Sequence, residues 1–418
     1  MTHPKMRFTY VGIDSHKDTH TAVFLDCFFD KLGELQFENR PDKFADFLAD
    51  AQQFRQDGTT FLFGMEDCSM FGRTLMKFFN ANGQTVKHVN AGLVAGERDK
   101  LLREKTDACD AECAARLLIT EFGKLPDIDP DDKYFVLRSL VARRSMLVRH
   151  NAAGKHYLHS ILTLHYPNYR EFFAKLTCKT SLAFFLKYPS PGTLRGTTVE
   201  ELAAFIEIAS NNHLGMPKAQ QILANLHETA VPDQAVRDIV VQSTIRQILF
   251  NMKEIEQLDD ATTAYMRHFD CTLTSMTGID TVTAARIVSC IGDIKNFSSP
   301  AKLARYAGIA PVAQSSGKTD RKFANQYGNR ELNSIFFWLA VRVCMYSGAN
   351  KKVLNSFFRD YFVRKMSEGK TKRQAIKCVE RRLVNIIWTM LTYNEEYVNP
   401  PTYDLPTDQE DDTIAADV

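Results

Sequence analysis

The sequence predicts an α/β domain followed by a mainly helical remainder (α/β plus α), and three observations carry that prediction. Within residues 8–122, short apolar runs alternate with helical patterns. Between residues 134 and 268, apolar side chains recur at spacings of three and four. From 271 to 395, helical patterns are separated by two glycine-bearing turns. At 418 residues the chain has room for about two to four domains. Its 44% apolar and 24% charged residues exclude a mostly disordered chain.

Taken in order, Phe8–Ile13 is an apolar run, followed across the turn material SHKD and DCFFDKLG by Thr21–Leu25 and Glu34–Phe37. Pro41 opens a helical pattern with Phe44, Phe47 and Leu48 on one face, and Asn39 stands as its candidate cap. Thr60–Met65 is a fourth strand, Gly72–Asn82 a helix, Thr85–Val89 a fifth strand and Asp107–Thr120 a further helix. Three consecutive strands, then helix, strand, helix, strand, helix over residues 1–125 is the order of a ribonuclease-H-like domain, while periodicity alone supports an α/β domain with a mixed sheet. Val136, Leu140 and Leu147, then Leu158, Ile161 and Leu162, begin a long amphipathic pattern, and Ile245, Ile248, Met252, Ile255 and Leu258 give a second stripe. Two long helices flanking an insert predict an antiparallel, coiled-coil-like arm over 133–268. Residues 271–395 form the third block, and Thr277-Gly278-Ile279-Asp280 before an apolar helix resembles the turn of a helix-hairpin-helix unit, whose backbone N–H groups can face a phosphate. Residues 400–418 are expected to be a disordered acidic tail.

The net charge of +2 conceals local asymmetry. Lys351–Arg382 holds eleven Lys/Arg against three acids, and Lys133–His159 holds six Lys/Arg, three histidines and no acid. Clustered bases suit a polyanion, because neutralising phosphates releases counterions, although solvated helix faces look the same in sequence. The longest apolar stretch, Ile335–Val341, is far shorter than a membrane span. MTHPKMRFTYVGID lacks the apolar core of a secretion signal, and nine cysteines without a CxxC pair argue against a disulfide framework or structural zinc module. A cytoplasmic, reducing location is expected.

Carboxylates are the main candidates for chemistry. Asp14 follows the strand YVGID, Glu66 ends the strand FLFGME, and Asp107 and Asp110 stand three apart at the start of a helix, so both project from one face. Singly, Asp107 reads as a helix cap, Asp14 as a strand-end turn residue and Glu66 as a surface acid beside Asp67. Together, four acids at the corresponding ends of one α/β domain repel one another and call for a cation. Hard oxygen ligands suit Mg²⁺ or Mn²⁺, which support phosphoryl transfer. His16 and His20 have HxxxH spacing but follow a strand, so zinc ligation is not expected there.

VGIDSHKDTH, GMEDCSMFG and KTDACDAECAARL together resemble the Asp–Glu–Asp–Asp (DEDD) signature of an insertion-sequence transposase family with a RuvC-like N-terminal domain. The resemblance continues in TGIDTVTAARIVSCIGDIKNFSSPAKLARYAGIAPVAQSSGK and YGNRELNSIFFWLA, which resemble the family's C-terminal transposase domain. It implies a recombinase that moves its own element, binds donor and target double-stranded DNA, is guided by a structured noncoding ("bridge") RNA and assembles as a dimer or tetramer. It also implies Asp14, Glu66, Asp107 and Asp110 as metal-binding catalytic acids and a serine nucleophile in AQSSGK, matched by Ser316, with Ser315 beside it. Lys318, Arg321 and Lys322 are candidate phosphate contacts, and Arg143, Arg144, Lys372 and Arg373 candidate nucleic-acid contacts. The turn departs from the family's Pro-Gly-Ile-Gly at Thr277 and at Asp280, and the charge of Asp280 opposes a phosphate. A metal-dependent, structure-selective junction endonuclease needs the acids but no serine and is the alternative. A third possibility is a non-catalytic nucleic-acid-binding protein.

Overall fold

The computed structural model of the chain describes residues 3–65, 70–102, 104–128, 133–227, 232–316, 319–323, 325, 328–347 and 352–399. The chain divides into two compact units, Met1–Asp132 and Lys133–Val418. In the first, β1 (Phe8–Ser15), β2 (Thr19–Leu25) and β3 (Lys31–Glu38) are followed by α1 (Pro41–Ala51), β4 (Thr60–Met65), α2 (Arg73–Ala81), β5 (Thr85–His88), α3 (Ala91–Lys100) and α4 (Asp107–Thr120). The strands form one mixed sheet in the order β3-β2-β1-β4-β5. β1 runs antiparallel to β2, with Asp14 opposite Thr21, and parallel to β4, with Ile13 opposite Met65. β4 and β5 are also parallel.

Side-chain alternation along the central strand sorts its residues between two cores. Val11 and Ile13 face Phe44, Phe47, Phe63 and Phe79, which come from α1, β4 and α2. Tyr10 belongs to the opposite core with Val23, Leu62, Ala111, Ala115 and Leu118, the inner face of α4. Gly12 shares the parity of Tyr10, and a Cβ built on it would lie 2.0 Å from the Ala111 carbonyl oxygen and 2.3 Å from the Ala115 nitrogen. The helix backbone therefore rests directly on the strand backbone. Asp14, two residues further along β1, falls on this same face.

Asn39 does not cap α1. That position is Arg40, which makes no side-chain cap hydrogen bond. The Asn39 amide instead donates to the carbonyl oxygens of His16 and Lys17, each at 3.2 Å, and of Phe71 at 3.0 Å. It pins the β1–β2 turn to the segment that precedes α2.

The second unit is mostly helical. α5 (Lys133–His165) is one continuous helix of 33 residues, longer than the interrupted pattern in the sequence suggests. α6 (Tyr169–Phe172), α7 (Lys179–Lys187), α8 (Val199–Ala209) and α9 (Met216–Ala224) follow, then α10 (Gln234–Tyr265) returns for 32 residues. Leu158 and Leu162 of α5 and Val241 and Ile245 of α10 enclose a core with these short helices. At the other end, Leu137 and Val141 of α5, with Met266 just beyond α10, join the core of the C-terminal block. That block contains α11 (Thr281–Ile291), α12 (Pro300–Tyr306), β6 (Val312–Ser316), β7 (Thr319–Phe323), α13 (Arg330–Cys344), β8 (Tyr346–Ser347), β9 (Lys352–Val353), α14 (Ser356–Ser367) and α15 (Lys372–Tyr393). The two short antiparallel hairpins, β6–β7 and β8–β9, were not foreseen in a block expected to be helical with turns. The acidic tail at 400–418 lies outside the described residues. Among the described residues, no helix is long and apolar enough to cross a membrane.

Because Gly12 meets backbone rather than a yielding side chain, Gly12→Ala is expected to cost about 3 kcal/mol, the upper end of overpacking penalties. Gly96, in α3, has open space where a Cβ would go, so Gly96→Ala is expected to be neutral or to stabilise by up to about 1 kcal/mol. Urea denaturation of both variants checks the contrast.

Candidate active site

α4 delivers its acids to the end of β1 because Gly12 fixes how closely the two elements approach. Asp107 lies one turn before Ala111, and Asp14 lies two residues beyond Gly12, so strand end and helix start meet at one edge. Thr106 caps the helix, its side-chain oxygen accepting from the Cys109 N–H at 3.1 Å. Asp107 and Asp110 then occupy the first turn, where the helix dipole favours negative charge.

The structure brings together Asp14, Asp107 and one residue not expected there, His16. Its Nε2 lies 3.0 Å from Asp14 Oδ2 and 3.2 Å from Asp107 Oδ1. The ligand atoms of the three residues all lie within 4.8 Å of one another, and this grouping could hold a metal ion. Burial raises the Asp14 pKa, the His16 ring opposes that shift, and the charges of Asp107 and Asp110 add to it. Burial lowers the His16 pKa, but the two carboxylates outweigh it and the net shift is upward. Clustered carboxylates around a partly buried Asp14 fit a hard divalent cation, which would remove the mutual repulsion. His20, the other half of the HxxxH pair, is a core residue. Its buried ring lies 5.3 Å from that of Phe37, and burial pushes its pKa down to about 4.

Asp110 is engaged differently. Arg98 of α3 donates to its Oδ1, and both side chains are mostly buried. Arg98 carried no signal in the sequence, because its contact with Asp110 is made only by the packing of α3 on α4. Glu66 follows Met65 in the chain and lies outside the described residues.

The remaining candidates belong to the second unit. Ser315 and Ser316 form the end of β6, opposite Asp320 and Thr319 of β7, rather than a turn. Arg321 and Lys322 are on β7, and Lys318 lies outside the described residues. Arg143 is exposed on α5, whereas Arg144 is paired with Asp259 across to α10. Lys372 and Arg373 occupy the first turn of α15, where positive charge opposes the helix dipole. At the glycine-bearing turn, Gly278 has φ of 103°, a conformation that disfavours any side chain. Asp280 caps α11, accepting from the Thr283 N–H at 2.8 Å, and Arg342 lies 3.4 Å from its other oxygen. Burial pushes the Asp280 pKa up, but the Thr283 and Arg342 interactions prevail and hold it below the usual carboxylate range.

A mixed sheet with acids gathered beside its central parallel strand pair is an arrangement suited to divalent-metal phosphoryl transfer, and comparison with known proteins fixes the class. Residues 11–167 match a transposase family model of the DEDD type found in IS110, and residues 271–355 match the transposase IS116/IS110/IS902 family. A 44.8 kDa protein of insertion element IS116 from Streptomyces clavuligerus is 25% identical over 387 residues, covering 91% of this chain and 94% of the relative. A 42 kDa protein of insertion element IS900 from Mycobacterium paratuberculosis is 29% identical, covering 75% and 76%. A pilin gene-inverting protein of Moraxella bovis is 31% identical over 140 residues, covering 32% of this chain and 40% of that protein. The protein is a DNA transposase/recombinase. In particular, it carries the DEDD-type IS110 transposase domain followed by the IS116/IS110/IS902 transposase domain.

Two outcomes follow from these geometries. Asp14→Asn removes one of the crowded charges, so it is expected to raise the Tm of the metal-free protein; melting curves in chelator check it. Asp280→Ala is expected to cost about 1 kcal/mol at neutral pH, as loss of a cap does. Because its folded-state pKa is depressed, the Asp280 contribution is complete above the unfolded value of about 4 and fades as pH falls through the lower folded value. Urea melts of variant and parent are therefore expected to converge on acidification below that point.

Proposed function

We propose that this transposase has a RuvC-like, ribonuclease-H-fold catalytic domain over residues 1–125. In this reading it performs Mg²⁺- or Mn²⁺-dependent cleavage and exchange of DNA strands with a serine nucleophile, under the guidance of a structured RNA. The observation that carries the reading is the meeting of Asp14 and Asp107, distant in sequence, beside the parallel β1–β4 pair. The strand order β3-β2-β1-β4-β5, in which β2 alone runs against the other four strands, supports the ribonuclease-H reading. Glu66 and Asp110 complete the acidic set. The cation, when bound, would neutralise the scissile phosphate and support ionisation of the attacking group.

Ser316 is the nucleophile in this proposal. Its Oγ forms a bond to the scissile phosphorus, the bond from phosphorus to a deoxyribose oxygen breaks, and the serine proton ends on that leaving oxygen. The register of the hairpin supports Ser316 over Ser315. Residues directly opposite in an antiparallel pair share a face and neighbours along a strand do not. The Cα pairing sets Ser316 opposite Thr319 and Ser315 opposite Asp320, an acid whose charge opposes a phosphate. A serine is a weak nucleophile without activation by a base or a metal ion.

The remaining residues have supporting roles. Arg321, Lys322 and Lys318 hold phosphates, and Arg143, Lys372 and Arg373 contact nucleic acid; Arg144 contributes less directly, through its pairing with Asp259. The arm (133–268) and the C-terminal domain (271–395) have distinct roles within one compact unit, and the protein acts in the cytoplasm as a homo-oligomer. Exposed Val236, Ile239 and Phe250 on α10, with Tyr157 and Leu164 on α5, support self-association, since a second copy would cover such an apolar stripe.

The test is adduct trapping with purified protein, its co-purifying RNA and donor and target duplexes. Ser316→Ala is expected to retain RNA and DNA binding and to form no covalent protein–DNA adduct, while Ser315→Ala keeps it. Loss in Ser315→Ala alone would move the role by one residue. An adduct surviving in both variants would exclude the serine mechanism, and full recombination after complete RNA removal would exclude the guide.

A further inference from the structure

We infer that His16 is a ligand of the divalent cation in this site, contributing one imidazole nitrogen beside the oxygens of Asp14 and Asp107. The inference rests on reading those two acids as metal ligands and goes beyond it, since the acidic signature contains no histidine.

The spacing of the three atoms carries the argument. Adjacent ligands of an octahedral ion with bonds of about 2.1 Å are separated by about 3.0 Å, the bond length multiplied by the square root of two. His16 Nε2 lies 3.0 Å from Asp14 Oδ2 and 3.2 Å from Asp107 Oδ1. Both separations have the length of an octahedral edge, with the nitrogen as the shared corner. The backbone beneath the ring is also fixed. The His16 N–H donates to the Thr19 carbonyl oxygen at 3.1 Å, and the Asn39 amide donates to the His16 and Lys17 carbonyl oxygens. The imidazole therefore projects from a pinned turn. With Asp110 taken up by Arg98, the atoms that converge among the described residues are two oxygens and one nitrogen.

Replacing one hard oxygen by an imidazole nitrogen has a consequence for metal choice. Imidazole suits transition metals better than Mg²⁺, so His16 biases the site toward Mn²⁺. The competing role is that of a counterion, an imidazolium standing between two carboxylates and leaving when the metal arrives. Both roles explain the two short contacts, but only a ligand keeps its nitrogen on the ion.

Pulsed electron paramagnetic resonance of bound Mn²⁺ separates them, because a directly coordinated imidazole nitrogen modulates the spin echo. The measurement uses the full chain freed of nucleic acid, with Mn²⁺ as the probe and calorimetric titration in parallel. The wild-type protein is expected to show nitrogen coupling that is absent in His16→Gln, and that variant is expected to bind Mn²⁺ about tenfold more weakly or worse. Its preference for Mn²⁺ over Mg²⁺ should fall as well. Mn²⁺ bound at Asp14 without nitrogen coupling, or with coupling unchanged in His16→Gln, would overturn the His16 assignment and leave the acidic site standing. Failure of the wild-type protein to bind Mn²⁺ would overturn both.

Discussion

The contact on which the candidate site depends is made by a residue with no side chain. At Gly12 the central strand accepts the backbone of α4 so closely that even one methyl group would collide with it. Everything functional in the first unit is measured from that contact. Alternation along β1 sends Asp14 to the side that α4 covers, and the helical turn before Ala111 returns Asp107 to the same edge. A wider gap would leave the same acids on the same elements, but too far apart to share an ion.

The charges assembled there are managed in two ways. Asp110 is matched to Arg98 within the protein, whereas, among the described residues, Asp14 and Asp107 meet a partly exposed histidine. An internal pair between mostly buried groups is a fixed cost of the fold, since removing one partner strands the other charge. A half-exposed histidine is a looser partner, and a cation arriving from solvent can replace or join it. Among the described residues, the site thus combines one carboxylate already neutralised with two that are open to an ion.

Most of the first unit was legible in the sequence because its signals are local. Five apolar runs and the amphipathic patterns of α1, α2 and α4 sit close to where alternation and caps indicated, and the acids at their ends were visible as strand-end and helix-start residues. The losses came from contacts made across the chain. Arg98 meets Asp110 through packing of two helices that no periodicity describes. His16 was weighed against His20 as though the pair faced together, yet His20 turns into the aromatic core while His16 joins an acid two residues away and another on α4. Asn39 looked like a cap because it precedes Pro41, but its amide serves three carbonyl oxygens of two other segments. In the second unit, VAQSS and TDRKF lack the apolar alternation of a half-buried strand, so the sequence gives no sign of the hairpin that carries Ser316.

The two long helices of the second unit are anchored at both ends and thin between. Leu137 and Val141 are built into one core, Leu158 and Leu162 into another, and the 33 residues of α5 join them. At 1.5 Å per residue this is a strut about 50 Å long. A strut of that length is a lever: tilting its base by about 5° sweeps its far end through about 4 Å, more than the length of a hydrogen bond. Small adjustments in the packing around Leu137 are thereby amplified at the tip, where α6 to α9 form a compact head, so a repacking too slight to disturb the base would still make or break contacts there.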